Sequence, residues 1–272
     1  MSTPIPPISQ SLLKSMRAYE KGEKCGLLIE AEWVRGVRFE PSTAMRLGQW
    51  FEYKATGQLN YYGEVPEPDR MKSGEPTKPF RLAEVQAEKF KAYMKEYKWE
   101  IKASGIKQVN EEHGMSMTLD VDLYIPKDGY WPFGGKIPWS EKNARVNMDL
   151  KYSGLIGNKW NPMGWVWETL GDSDHILQPI QYSIVSGRDL FLFMVFGTTE
   201  SQDCKIFPIS VEEWAKEDHL KEVKARRNQL KSAIRSGFAP HPSFYNCNAC
   251  PMAEGCAHRV TAPKAEPVIR VM

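Results

Sequence analysis

Two short stretches place acids and a lysine where they can share a task. Leu119-Asp120-Val121-Asp122-Leu123 and Asn147-Met148-Asp149-Leu150-Lys151 both read as strands. Side chains alternate along a strand, so Asp120 and Asp122 share a face, and so do Asp149 and Lys151, which brings acid, acid and lysine together if the strands are neighbours. Strands flanked by helices bury both faces. A buried carboxylate costs several kcal/mol unless it is paired or holds a cation. Mg²⁺ or Mn²⁺ takes hard oxygen ligands, usually one or two carboxylates with water and substrate phosphate. Asp120 and Asp149 are the candidate ligands, with Asp122 in reserve and the Leu150 carbonyl as a third donor. Lys151 then stands at an attacking water. The plain alternative is a salt bridge between Lys151 and an Asp, since D-x-K by itself is a common tripeptide.

A second constellation is sulfur. Cys247-Asn-Ala-Cys250-Pro-Met-Ala-Glu-Gly-Cys256 carries three thiols in a C-x₂-C-x₅-C spacing. Three thiolates need a fourth for a closed site. Cys25 is the natural candidate, in a turn between Gly22 and Gly26, while Cys204 opens a strand. A reducing compartment argues against a disulfide framework. Zinc sites more often use two short cysteine pairs.

The elements around these residues follow from pattern. Ser9 or Ser11 caps a helix to about Glu20, and a second runs from Ser42 to Thr56 with Gly57 past its end. Residues 59–79 read as a loop, then a helix from Leu82 to about Tyr97. Strands follow at Ile106–Glu111, Met115–Ile125 and Arg145–Tyr152. Pro179 suits the first position of a helix ending near Gly187, which puts Gln178 at an anion-favouring N-terminus. Gln178 and Tyr182, four apart, share one helical face, with Gln181 competing for the amide role. Leu190–Thr198 and Lys205–Ile209 complete the sheet. Ser210 and Glu213 form a capping box for a helix ending near Gly237. That helix carries Lys221, Lys224, Arg226, Arg227, Lys231 and Arg235, either a solvated face or a phosphate track. Tyr130, Trp131, Phe133, Trp139, Trp160, Trp165 and Trp167 sit in loops, where they either pack on the core or stack unpaired bases.

The ordered set Gly48…Glu52, Asp120, Asp149-Leu150-Lys151 and Gln178…Tyr182 resembles the RecB-type branch of the PD-(D/E)XK nucleases. One remote cysteine before these motifs and C-x₂-C-x₅-C after them is similar to the iron–sulfur staple of AddB-type nucleases and CRISPR-associated RecB-like exonucleases. The resemblance spans nearly the whole chain. It implies an α/β fold with a mixed central sheet flanked by helices. A 4Fe-4S cluster on Cys25, Cys247, Cys250 and Cys256 would join the two ends. It implies that Glu52 contributes to the Mg²⁺ or Mn²⁺ site and that Gln178 and Tyr182 orient the site. Thr118 stands where that family usually has Gly before its acid.

The implied activity is metal-dependent hydrolysis of DNA, as an exonuclease on single strands or duplex ends. The setting is recombination, repair, phage replication or CRISPR adaptation. The alternative is an iron–sulfur DNA-binding subunit with weak or no cleavage. No G-x-x-x-x-G-K-[ST] motif occurs, so a motor such as a helicase, or a recombination partner, is a separate protein. The expected outline is one nuclease domain over 1–262, with iron–sulfur segments at 20–30 and 244–258, a catalytic core at about 42–236 and a tail at 263–272. The chain of 272 residues has 42% hydrophobic and 26% charged residues and a net charge of +2, so any DNA footprint is local. The N-terminus is no secretory signal, and Leu190–Phe196 is too short to span a bilayer. The expected compartment is the cytoplasm of a bacterial, archaeal or phage-infected cell, without membrane association.

Overall fold

The computed structural model describes residues 4–60, 62–131, 144–154, 174–199, 204–248 and 250–261. The chain divides into two compact units: residues 1–39 with 223–272, and residues 40–222. Among the described residues no helix is long and apolar enough to cross a membrane.

The larger unit is built on a five-stranded sheet in the order β1-β2-β3-β4-β5: Glu100–Asn110, Met115–Ile125, Ala144–Ser153, Leu190–Gly197 and Lys205–Ser210. β3 and β4 are parallel and every other pair is antiparallel, so the sheet is mixed. α3 (Thr43–Thr56) and α4 (Lys78–Glu96) cover one side. Their Trp50, Phe51, Phe80 and Phe90 share a core with Val121, Leu123, Met148, Leu150, Met194 and Phe196. The opposite side of β2 and β3 carries Asp120, Asp122, Asn147, Asp149 and Lys151, the alternate positions. α5 (Asp174–Ser186) packs on β2, β1 and β4. β4 is buried at every position, as a central strand between helices must be.

Several boundaries moved for identifiable reasons. β1 begins at Glu100, six residues before the expected Ile106, because it is an edge strand whose largely exposed side chains hide its period. α4 begins at Lys78 rather than Leu82, behind Thr77 and with proline in its first turn. α5 begins at Asp174, so Pro179 lies inside the helix and Gln178 is not at its N-terminus. The anion-site reading of Gln178 therefore fails. Ser210 ends β5, paired with Leu190, and the capping box with Glu213 does not form. α6 (Glu213–Ser236) starts behind Glu212, whose carbonyl accepts from Ala215 and Lys216.

In the smaller unit, Ser9 caps α1 (Gln10–Glu20), accepting from Leu12 N at 3.1 Å. A short α2 (Gly26–Ile29) runs into a π-helical turn, Glu30–Val34, that the apolar pattern did not announce. α7 (Phe244–Asn248) precedes the last cysteines. Leu12, Leu13, Met16, Ile29, Val223, Leu230 and Phe238 are among its buried residues.

Candidate active site

The acids sit where the sheet forks. β2 and β3 pair from Ile125–Ala144 to Val121–Met148, and there the ladder stops. β2 continues against β1 alone, and β3 against β4 alone. The next positions along the fork are Asp120 and Asp149. With no strand carbonyl opposite, Leu150 N donates to Asp120 Oδ2 at 2.9 Å. Asp120 thus substitutes for a ladder bond while its carboxylate stays in the gap. Gln58 Nε2 donates to Asp120 Oδ1 at 3.2 Å. Both acids are buried, Asp120 at 7% and Asp149 at 3% exposure.

Asp149 is held from two sides. Gln178 Nε2 donates to its Oδ1, and Lys151 forms an ion pair with Oδ2. The Lys151 ammonium also stands 5.7 Å from the centre of the Phe193 ring. Gln178 is the amide that reaches the acids. Gln181 is turned away, donating to Ser116 O at 2.7 Å and meeting His219 Nε2 at 3.2 Å. The Tyr182 hydroxyl donates to Thr118 O at 2.5 Å, and its ring meets Phe191 edge-on at 5.7 Å. Tyr182 therefore braces α5 against β2 and does not touch a carboxylate.

Glu52 enters from α3. Its neighbour Phe51 stacks on Tyr152 at 5.3 Å and packs on Phe196 at 5.1 Å, which fixes the helix against β3 and β4. Glu52 lies close enough to feel both Lys151 and Asp149. Burial raises its carboxyl to about 8; Lys151 pulls it down and Asp149 pushes it up. Burial also raises Asp120 well above the usual carboxylate range, and the charges of Asp149 and Glu52 push the same way. For Lys151, burial works against the charge, but Asp149, Asp120 and Glu52 outweigh it and raise its pKa, so it remains a cation. Fully ionised, three acids against one lysine carry an excess of buried negative charge; the acids answer it by holding their protons, and a divalent cation would relieve it. Among the described residues no three His, Cys, Asp or Glu side chains converge on one point at ligating distance. The acids lean instead on Leu150 N, Gln58, Gln178 and Lys151.

Asp122 is a different case. Arg145 Nε donates to its Oδ1 at 2.9 Å, and Arg188 Nη1 donates to the same oxygen at 2.7 Å. Burial would raise Asp122, but the two guanidiniums prevail and lower it. With two cations already upon it, Asp122 is a structural anion, and Asp120 is the acid available at the fork.

Beside the fork lies a cavity of about 460 Å³ lined by Gln49, Glu52, Gln58, Asn60, Lys107 and Thr118, among others. Of Glu52, Asp120, Asp149 and Lys151, expected to gather at one cation site, only Glu52 lines it. Gln58 joins it to Asp120. Sequence reasoning missed Gln58, Asn60 and Lys107, for they lie on a loop and an edge strand with no periodic signal. Gln58 comes straight after Gly57, whose φ of 78° ends α3 and turns the chain toward the acids.

The fold is shared with a candidate exonuclease of Eubacterium rectale. That likeness has a TM-score of 0.54 at 18% identity over 96% of this chain and 91% of the other. Two structures of the alkaline exonuclease LHK-Exo of Laribacter hongkongensis are also similar. The complex with dAMP has a TM-score of 0.49 at 12% identity, and the other structure has 0.48 at 13%; each alignment covers 85% of this chain and 91% of theirs. At such identities the likeness speaks to the fold. No protein-family model matches the chain. No curated protein sequence matches it either.

The smaller unit holds the four cysteines. Cys25 precedes α2. Asn246, beside Cys247, donates to Gly22 O at 3.4 Å, and Ala239 N donates to the Tyr19 hydroxyl at 3.1 Å. Gly26 makes this approach possible: a Cβ there would stand 2.4 Å from Ala239 O. Val260 N reaches Cys247 Sγ at 3.3 Å, and Met252 N reaches Cys250 Sγ at 3.4 Å. Backbone N–H groups aimed at sulfur stabilise thiolate ligands. None of the five cysteines is in a disulfide and all are half-buried; Cys204 lies in the other unit, packed against its core.

Of the loop aromatics, Tyr130 and Trp131 pack locally. Tyr130 lies 5.3 Å from Tyr97, its carbonyl accepts from Trp99 Nε1 at 2.8 Å, and Trp131 lies 6.4 Å from Trp99. Phe133, Trp139, Trp160, Trp165 and Trp167 lie outside the described residues, as does the tail at 263–272.

Proposed function

We propose that the chain is a divalent-metal-dependent DNA nuclease, an exonuclease acting at ends of single or double strands. The observation that carries this reading is the fork. Asp120, Asp149, Lys151 and Glu52 are electrostatically coupled there, with more buried acid than protein cations to balance it. The shared fold with a candidate exonuclease supports it.

Asp120 and Asp149 would hold Mg²⁺ or Mn²⁺, with Glu52 and the Leu150 carbonyl completing the donor set. Bound there, the ion would lower the pKa of a water and offset charge growing on the phosphate. Lys151, kept cationic by the acids, stabilises the attacking oxygen as it loses its proton. Gln178 holds Asp149 Oδ1 in one orientation, and Tyr182 acts through α5 as a positioning residue. Gln58 holds Asp120 from the cavity side, where the volume would admit a nucleotide of the substrate.

In the smaller unit, Cys25, Cys247, Cys250 and Cys256 would carry a 4Fe-4S cluster with a structural role. The support is their spacing, the approach of residues 239–246 to 19–26, and the N–H groups directed at sulfur. Iron and sulfide assays with visible absorbance separate this from zinc.

The deciding test is incubation of 5′- and 3′-labelled single and double strands with Mg²⁺ or Mn²⁺, beside Lys151→Ala. The expected result is metal-dependent loss of label from ends, reduced at least about 100-fold in the variant. Equal rates in both proteins would overturn the proposed chemistry, and an absence of cleavage with either ion would overturn the nuclease reading.

A further inference from the structure

The charge of this molecule is not shared evenly. The smaller unit carries fourteen Lys and Arg against six Asp and Glu, a net +8, while the larger unit carries 22 against 28, a net −6. The near-neutral total conceals two opposed units. Such asymmetry points to a polyanionic partner for the basic one.

The excess has a definite place. From Val223 to Ser236, α6 contains five cations and no acid. Lys224, Arg227, Lys231 and Arg235 follow at offsets of three, seven and eleven residues. At roughly 100° per residue they fall within an arc about 80° wide, a stripe about 16 Å long. Lys224, Lys231 and Arg235 are exposed and Arg227 is half-exposed. Among the described residues no carboxylate pairs with any of them. Arg226 lies on the other side of the helix and is neutralised by Glu20 at 2.5 Å. Lys221 belongs to the other unit and is paired with Asp218 at 2.9 Å. Of the six cations that sequence groups together, four form the stripe. The buried positions Val223, Leu230 and Ala233 form the helix's apolar side.

We infer that this stripe is a docking surface for the phosphodiester backbone of a nucleic acid, read without regard to sequence. Duplex DNA carries about nine charges over 16 Å of axis, so all four cations find phosphates along one helix face. Asn228 and Ser232, interleaved with the cations, are polar and short enough to let the backbone approach. No aromatic side chain lies in the stripe, so bases are not stacked there. A membrane surface fits worse: interfacial helices set Trp, Phe or Leu beside their cations for insertion, and the exposed neighbours here, Asn228 and Ser232, are polar.

The experiment uses the full chain in EDTA, where no metal-dependent cleavage occurs. It measures binding to a fluorescein-labelled 30-mer duplex by anisotropy from 50 to 200 mM NaCl. The variant is Lys224→Gln/Arg227→Gln/Lys231→Gln/Arg235→Gln, checked for native circular dichroism. Four phosphate contacts contribute a slope of about 3 to 4 in log K against log salt. Wild type should therefore lose about 10²-fold more affinity across that range than the variant. Lys224→Gln/Lys231→Gln should remove about half of that slope, and it serves if the fourfold variant fails to fold. Arg226→Gln, on the other side, should leave the slope as it is. An unchanged slope in both stripe variants overturns the inference, as does an equal drop in Arg226→Gln. So does a loss of binding to vesicles of phosphatidylcholine and phosphatidylserine with DNA binding intact. Turnover of bis-p-nitrophenyl phosphate with Mn²⁺ should be equal in wild type and variant, which keeps this result separate from that of the nuclease reading.

Discussion

Asp120→Asn separates what the fork does for catalysis from what it costs in stability. The substitution keeps the shape. An asparagine oxygen still accepts from Leu150 N, and Gln58 can turn its amide so that its buried, unpartnered Oε1 accepts from the new Nδ2. Only the charge is lost. Opposed side chains on neighbouring strands stand about 5 Å apart. At an effective dielectric of about 20, two carboxylates at that spacing repel by roughly 3 kcal/mol. Lys151 offsets part of this. With the metal chelated, removing that charge gains a net of about 1–3 kcal/mol at pH 9, above the titration of Glu52. For a domain of this size that raises Tm by roughly 2–10 °C. A carboxyl whose folded pKa is raised keeps its proton more tightly in the folded chain. Wild-type stability therefore declines as pH climbs from about 4 through 8, by at most about 1.4 kcal/mol per pH unit for each such proton. The window is set by Glu52 at about 8 and by the raised Asp120. At pH 6 Glu52 is largely protonated in the folded protein and burial makes Asp120 hold its proton more tightly than a free carboxyl, so the advantage of Asp120→Asn should shrink. The assay is thermal unfolding at pH 6 and 9, with EDTA and with Mn²⁺. Mn²⁺ should stabilise wild type more at pH 9 than at pH 6, and should barely stabilise the variant, which should also not cleave. A variant less stable than wild type at pH 9 without metal would refute the argument that the fork holds uncompensated charge.

Gln178→Leu removes the amide that holds Asp149 Oδ1. It should lower kcat by about 10- to 100-fold with little change in KM, and an effect on KM alone would remove Gln178 from the site. Tyr182→Phe loses the bond to Thr118 O and should cost about 1–2 kcal/mol by denaturant melting. Its effect on cleavage should be smaller than that of Gln178→Leu; the reverse order would give the phenol a direct role. Gly26→Ala forces a methyl against Ala239 O and the Tyr19 ring. It should destabilise the protein by about 1–3 kcal/mol and lower its content of bound iron, measured on purified protein. Unaltered stability would mean that residues 19–26 and 238–246 do not meet as described.

Much of the frame was legible in the chain itself. Ser42 and Gly57 bracket α3 because a hydroxyl at the N-cap and a glycine at positive φ answer orphan backbone groups locally. β2 and β3 were readable because alternation is a property of the strand alone. The same alternation put Asp149 with Lys151, and Asp120 with Asp122. It could not choose between Asp120 and Asp122, which are equivalent in any local frame. That choice lies in where β2 leaves β3, and in Arg145 and Arg188, one at the start of β3 and the other just before β4. Gln178 and Gln181 differ by less than one helical turn, and only the packing of α5 decides which meets Asp149. Gln58 had no pattern to mark it. Local sequence thus specified the elements and the faces of their side chains. The meeting of residues 52, 58, 120, 149 and 178 depends on strand register and helix docking, which are set by contacts between segments far apart in the chain.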